Sequence, residues 1–85
     1  MDAIESTVKT YILEQILPGT DPNDLTLDTP LISGGIIDSL ATVKLIVFLE
    51  EKFNIVVDAH ESGNFETINL IAKLVRDKQE RAASR

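Results

Sequence analysis

The 85-residue sequence contains no cysteine. That excludes disulfides, zinc ribbons and a cysteine nucleophile. Tryptophan is also absent, and the large aromatics are limited to Tyr11, Phe48, Phe53 and Phe65, so a core has to be built mostly from Ile, Leu and Val. The single histidine, His60, stands beside Glu61 with no second His or Cys to complete a metal set, and the run His-Glu-Ser-Gly-Asn is not the metalloprotease helix motif. His60 reads as an exposed loop residue. No apolar stretch is long enough to span a membrane. Met1-Asp2-Ala3-Ile4-Glu5 has neither the basic nor the apolar region of a signal peptide, so a cytoplasmic protein is expected. Positive charge is scarce: 8 Lys and Arg stand against 14 Asp and Glu, a net charge of −6. This argues against a phosphate-binding surface and hence against nucleic acid as a partner. It suits a protein steered toward basic patches on other proteins.

With 44% hydrophobic and 26% charged residues, the composition is that of one globular domain with room for a modest core. The spacing of Ile4, Val8, Tyr11, Ile12 and Ile16 predicts a first helix from about Asp2 to Leu17, stopped by Pro18-Gly19. Residues 19–38 form a long loop rich in Asp, Asn, Pro, Thr and Gly. Leu25, Leu27, Leu31, Ile32, Ile36 and Ile37 are too apolar for a flexible linker and should pin this loop to the bundle. Asp21, Asp24 and Asp28 lack the glycine and closing glutamate of a calcium loop and read as turn and cap residues.

A second helix is predicted from Ser39 to Phe53. Successive residues about 100° apart place Leu45, Leu49, Thr42, Ile46 and Phe53 on one broad face, with Leu40, Val43 and Val47 nearly opposite. That second apolar group, flanked by Lys44, Glu50 and Glu51, is either covered by another element or offered to a partner. Residues 54–58 form an extended connection burying Ile55 and Val57, with no strand to pair with. Asp58–Gly63 is a short helical turn ended by Gly63, and Thr67 caps a last helix with Ile68, Ile71, Ala72 and Val75 inward. Beyond Arg76 the apolar periodicity ends, which predicts fraying; the domain is expected over 1–78 with a frayed tail over 79–85.

The most informative stretch is Ser33-Gly34-Gly35-Ile36-Ile37-Asp38-Ser39-Leu40. Read alone, it is a capped helix start: glycines turn the chain, Asp38 caps, and Ser39 falls in the first turn. A Ser39–His60–Asp38 triad is disfavoured, because an Asp beside the nucleophile is badly placed to orient a histidine and no Gly-x-Ser-x-Gly elbow surrounds Ser39. In context, with Gly-Gly-Ile-Ile before Asp-Ser-Leu and an apolar helix ending Leu-Glu-Glu-Lys-Phe after it, the sequence resembles the acyl carrier and peptidyl carrier protein family from about Thr29 to Val75.

That resemblance implies an all-α, four-helix bundle of acyl-carrier type, with three main helices, a short third helix and a long first loop. It implies a non-enzymatic carrier with 4′-phosphopantetheine on Ser39 and Asp38 in support. Leu40, Val43, Lys44 and Val47 would form the partner face. The implied partners are a phosphopantetheinyl transferase, an adenylating enzyme that loads the cargo, and downstream tailoring or condensing enzymes. Fatty-acid carriers usually have an acid after Asp-Ser-Leu and further acids along the helix, whereas Ala41 and Lys44 stand here. The pattern is more similar to stand-alone aminoacyl or peptidyl carriers of nonribosomal-peptide type, with fatty-acid or polyketide carriers and D-alanyl carriers as alternatives. Met1 and the short length fit a free-standing monomer. The rival of another class is a helical adaptor with Ser39 unmodified.

Overall fold

Apolar residues three and four apart wind this chain into helices, and a computed structural model describes residues 2–83. Helix α1 (Ala3–Tyr11) opens on a reciprocal cap: Glu5 N–H donates to Asp2 Oδ1 at 2.8 Å, and Asp2 N–H donates to Glu5 Oε1 at 3.0 Å. It winds on into a π-helical turn, Ile12–Ile16, and ends where Leu17 leaves helical geometry. The predicted first helix is therefore present, with its last turn widened. Val8 and Ile12 are fully buried, and Ile4, Tyr11 and Ile16 pack beside them.

The loop over residues 19–38 holds one short 3₁₀ turn, Pro22–Asp24, in which Asp21 accepts from Asn23 N–H at 2.9 Å. Leu25, Leu31 and Ile37 are buried, and Leu27 and Ile36 pack against the core. Ile32 departs from expectation and is 41% exposed. Polar ties complete the anchoring: Asn69 Nδ2 donates to Asp28 Oδ1 at 2.7 Å, and Asn69 N–H donates to Leu27 O at 3.1 Å. The loop is a fixed part of the domain.

Helix α2 (Ser39–Phe53) has the predicted bounds and ends at Asn54, whose left-handed φ of 54° suits an asparagine at a helix end. Leu45 and Leu49 are fully buried, and Phe48 stacks on Tyr11 with ring centroids 4.3 Å apart. The segment after α2 is extended, with Ile55 and Val57 buried, Val56 exposed between them, and Val57 N–H donating to Glu50 Oε2 at 3.0 Å. A 3₁₀ helix, Ala59–Phe65, is the short third helix; it runs past Gly63, where the sequence predicts its end, because Phe65 is fully buried and anchors its last turn.

Helix α3 (Ile68–Ala83) starts with Leu70 N–H donating to Thr67 Oγ1 at 3.1 Å and packs along α1. Its buried face is Ile68, Ile71, Ala72, Leu74 and Val75. Although the polar run after Arg76 predicts fraying, the helix continues to Ala83. Arg76 pairs with Asp2 and lies 3.7 Å from Glu5, and Lys78 reaches Glu61 at 2.8 Å, so ion pairs replace apolar burial there. Ser84 and Arg85, the rest of the expected tail, lie outside the described residues. The architecture is an all-α bundle of three long helices and one short one, and no helix of the described residues is long and apolar enough to cross a membrane.

Candidate functional site

The site is built where the long loop delivers the chain to α2. Ile36 N–H and Ile37 N–H both donate to Leu31 O, at 2.9 and 3.0 Å, and Gly35 N–H donates to Ile32 O at 3.1 Å. The two glycines permit this tight return. A Cβ on Gly34 would lie 2.2 Å from Pro30 O, and Gly35 has a φ of +74°. Ile37, buried, fixes the end of the loop in the core. Asp38 then caps α2: its Oδ1 accepts from Ala41 N–H at 2.8 Å, and its carbonyl accepts from Thr42 N–H at 2.9 Å and Thr42 Oγ1 at 2.8 Å. Ser39 is consequently the first residue of a 15-residue helix, exposed, at the positive end of its dipole.

An open cleft of about 660 Å³ lies beside Ser39, walled by Ile32, Ile37, Val43 and Ile46, with Thr42 and Ser62 at its edge. Along α2, Leu40, Val43 and Val47 are 63%, 56% and 45% exposed, and Lys44 is exposed among them. Neither the loop nor α3 covers this ridge, so of the two alternatives the sequence leaves, the uncovered face is the one the structure has.

The Asp38 carboxylate is engaged by the Ala41 amide, and His60 is exposed on the 3₁₀ helix. Asp58, His60 and Glu61 bring ligand-type atoms within 4.8 Å of one another. Glu61 is already committed there: the hydrogen bond from Lys78 and then that from Asp58 N–H hold its carboxyl below the usual range.

One residue of the site has no local signature in the sequence. Glu66, between the 3₁₀ helix and α3, accepts through Oε1 from both Ile32 N–H and Ser33 N–H at 2.9 Å, and its carbonyl accepts from Leu31 N–H at 2.6 Å. The bonds from Ser33 and Ile32 hold its carboxyl below the usual value, the Ser33 amide contributing most.

The family model described as a phosphopantetheine attachment site matches residues 11–75, which include the whole loop and α2. The acyl carrier protein of Chlamydia trachomatis serovar D is 30% identical over 77 residues, 91% of this chain and 97% of its own length. The acyl carrier protein of Desulforapulum autotrophicum is 34% identical over 76 residues, 89% of this chain and 97% of its own. The D-alanyl carrier protein of Streptococcus pyogenes serotype M5 is 43% identical over 54 residues, 64% of this chain and 67% of its own. The helical fold, the family match and the two acyl carrier relatives aligned over 97% of their length converge on one assignment: the chain belongs to the phosphopantetheine-attachment family of carrier proteins, non-catalytic domains that hold acyl groups on a serine-linked 4′-phosphopantetheine and work with a phosphopantetheinyl transferase and acyl-handling enzymes.

Proposed function

We propose that Ser39 is the attachment serine and that the protein carries an aminoacyl or related acyl group as a thioester for nonribosomal-peptide or similar natural-product assembly. One observation carries the choice of serine. Of the three serines within the family match, Ser33, Ser39 and Ser62, only Ser39 opens a long helix. A phosphodiester formed there lies at the positive end of α2, beside first-turn amides and an open, largely apolar cleft, so the residues present fit the group. Once attached, the group supplies a thiol on a flexible arm, which this cysteine-free chain has no other way to offer.

In the attachment reaction, Ser39 Oγ forms the new bond to the pantetheine-bearing phosphorus of coenzyme A. The bond from that phosphorus to the bridging oxygen breaks, and adenosine 3′,5′-bisphosphate leaves. The hydroxyl proton goes to a base of the transferase, since the Asp38 carboxylate is occupied as the helix cap. Asp38 holds the serine at the helix start, and the ridge of Leu40, Val43, Lys44 and Val47 meets successive partners. Tethering raises the cargo's effective concentration at each partner without tight protein–protein binding.

Aminoacyl cargo is favoured by the charge along α2. No acid stands in its first turn, Ala41 and Lys44 replace acids, and its only acids are Glu50 and Glu51 at the far end. The D-alanyl carrier relative, named for an aminoacyl group, is in keeping with this reading. An adenylating enzyme is then the loading partner, in the cytoplasm, on a monomeric carrier. The test offers the holo-protein to adenylating enzymes with ATP and amino acids, and separately to fatty-acid and polyketide loading enzymes. An aminoacyl thioester in the intact mass supports the reading. Efficient loading by the acyl enzymes alone overturns it.

A further inference from the structure

The loop presenting Ser39 is held from outside itself. Leu31, Ile32 and Ser33 give three consecutive N–H groups to Glu66, the first to its carbonyl and the next two to one carboxylate oxygen. A carboxylate accepting two adjacent amides is a charge-assisted clamp, stronger than a neutral bond. Its base is rigid, because Phe65 and Ile68 on either side of the Glu66–Thr67 junction are fully buried. Leu31 is buried in the core, but the segment beyond it has little else to hold it: Ile32 is 41% exposed, and Ser33, Gly34 and Gly35 are exposed. The internal ties of the turn run back to this segment: Ile36 and Ile37 N–H donate to Leu31 O, and Gly35 N–H donates to Ile32 O. Ile32 and Gly35 then form one wall of the cleft beside Ser39.

We propose that Glu66 is a positioning residue for modification at Ser39: its carboxylate holds the Leu31–Gly35 segment in the arrangement that the transferase binds. This rests on Ser39 being the attachment serine. Glu66 touches neither the hydroxyl nor the reacting phosphorus, so its effect lies in how much of the protein is ready to bind. When only a fraction of a protein is binding-competent, its apparent affinity falls by that fraction, while the chemistry after binding is unchanged. Loss of the clamp therefore raises KM and leaves kcat.

The experiment measures steady-state transfer from coenzyme A to the full-length apo-protein for wild type, Glu66→Ala and Glu66→Gln, together with amide hydrogen exchange. Glu66→Ala is expected to raise KM for the apo-protein about 3- to 10-fold, with kcat within about twofold of wild type. Exchange should quicken at Ile32 and Ser33 and stay unchanged in α1 and α3. Glu66→Gln keeps an oxygen acceptor and should recover most of the lost KM. The inference is overturned by Glu66→Ala with wild-type KM, by a loss confined to kcat, or by Glu66→Gln as impaired as Glu66→Ala. If α1 and α3 exchange faster in Glu66→Ala, that variant has lost its fold. Glu66→Met, of similar length but with only a weak sulfur acceptor, then carries the test, and unchanged exchange at Ile32 and Ser33 together with unchanged KM overturns the inference. A wild-type protein modified on a different serine, or not at all, overturns the Ser39 reading instead, so the two failures are distinguishable.

Discussion

Gly34→Ala probes whether the turn before Ser39 is as closed as its contacts indicate. The added Cβ would lie 2.2 Å from Pro30 O and 3.3 Å from the Pro30 carbonyl carbon. Both are backbone atoms, so no rotamer change relieves the clash. The segment resists shifting, because moving it strains the bonds from Leu31 N–H to Glu66 O and from Ile36 and Ile37 N–H to Leu31 O. Overpacking of this kind costs about 1–3 kcal/mol. For a domain of this size each kcal/mol lowers Tm by about 4–8 °C, so a loss of about 10 °C is expected. Two other glycines calibrate the result. Gly35→Ala meets nothing within 4 Å but must hold a φ of +74°, which costs about 1–2 kcal/mol. Gly63→Ala meets nothing within 4 Å, and its φ is not positive, so it should be neutral or stabilising by about 0.5 kcal/mol. Thermal melts by circular dichroism on the three variants decide the matter. Gly34→Ala melting with wild type, or above Gly63→Ala, would refute the reasoning.

Phe65→Ala empties a fully buried site where the 3₁₀ helix meets the core and should cost about 3–5 kcal/mol in urea titration, a large share of a total of about 4–13 kcal/mol; a loss below about 1 kcal/mol would contradict its packing role. Val43→Asp changes a side chain that is 56% exposed, so Tm should stay within about 3 °C while cargo loading falls; a large stability loss would place Val43 in the core instead. Lys78→Met removes the main group that depresses the Glu61 carboxyl. A depressed carboxyl stabilises the fold above its unfolded value of about 4.3, and that contribution disappears as pH falls through the lower folded value. The Tm gap between wild type and Lys78→Met should therefore be present near neutral pH and close in acid; a constant gap would show that Lys78 stabilises by packing alone.

What could be read from the sequence was what local chemistry controls. The bounds of α2 follow from the Asp38 cap and the Asn54 end, both within hydrogen-bond reach of their own helix. The buried loop anchors Leu25, Leu31 and Ile37 show as apolar residues among turn formers. Ile32 carried the same signal and is exposed, because its amide, rather than its side chain, is what ties it down. Contacts between distant segments left no such pattern. Arg76 reaches Asp2 across most of the chain, and that pairing, with Lys78 to Glu61, carries α3 beyond the point where apolar spacing stops. Glu66 holds amides 33 and 34 positions away. Its neighbour Thr67 was legible as a cap, but nothing in the spacing marks a carboxylate that clamps a distant loop.

The most direct measurement is the intact mass of the apo-protein after incubation with coenzyme A and a broad-specificity phosphopantetheinyl transferase, with Ser39→Ala in parallel and the modified peptide mapped by fragmentation. Wild type should gain one phosphopantetheine located on Ser39, and Ser39→Ala should keep its helical spectrum and gain none. A gain retained in Ser39→Ala, or mapped to Ser33 or Ser62, would contradict the assignment of the attachment site.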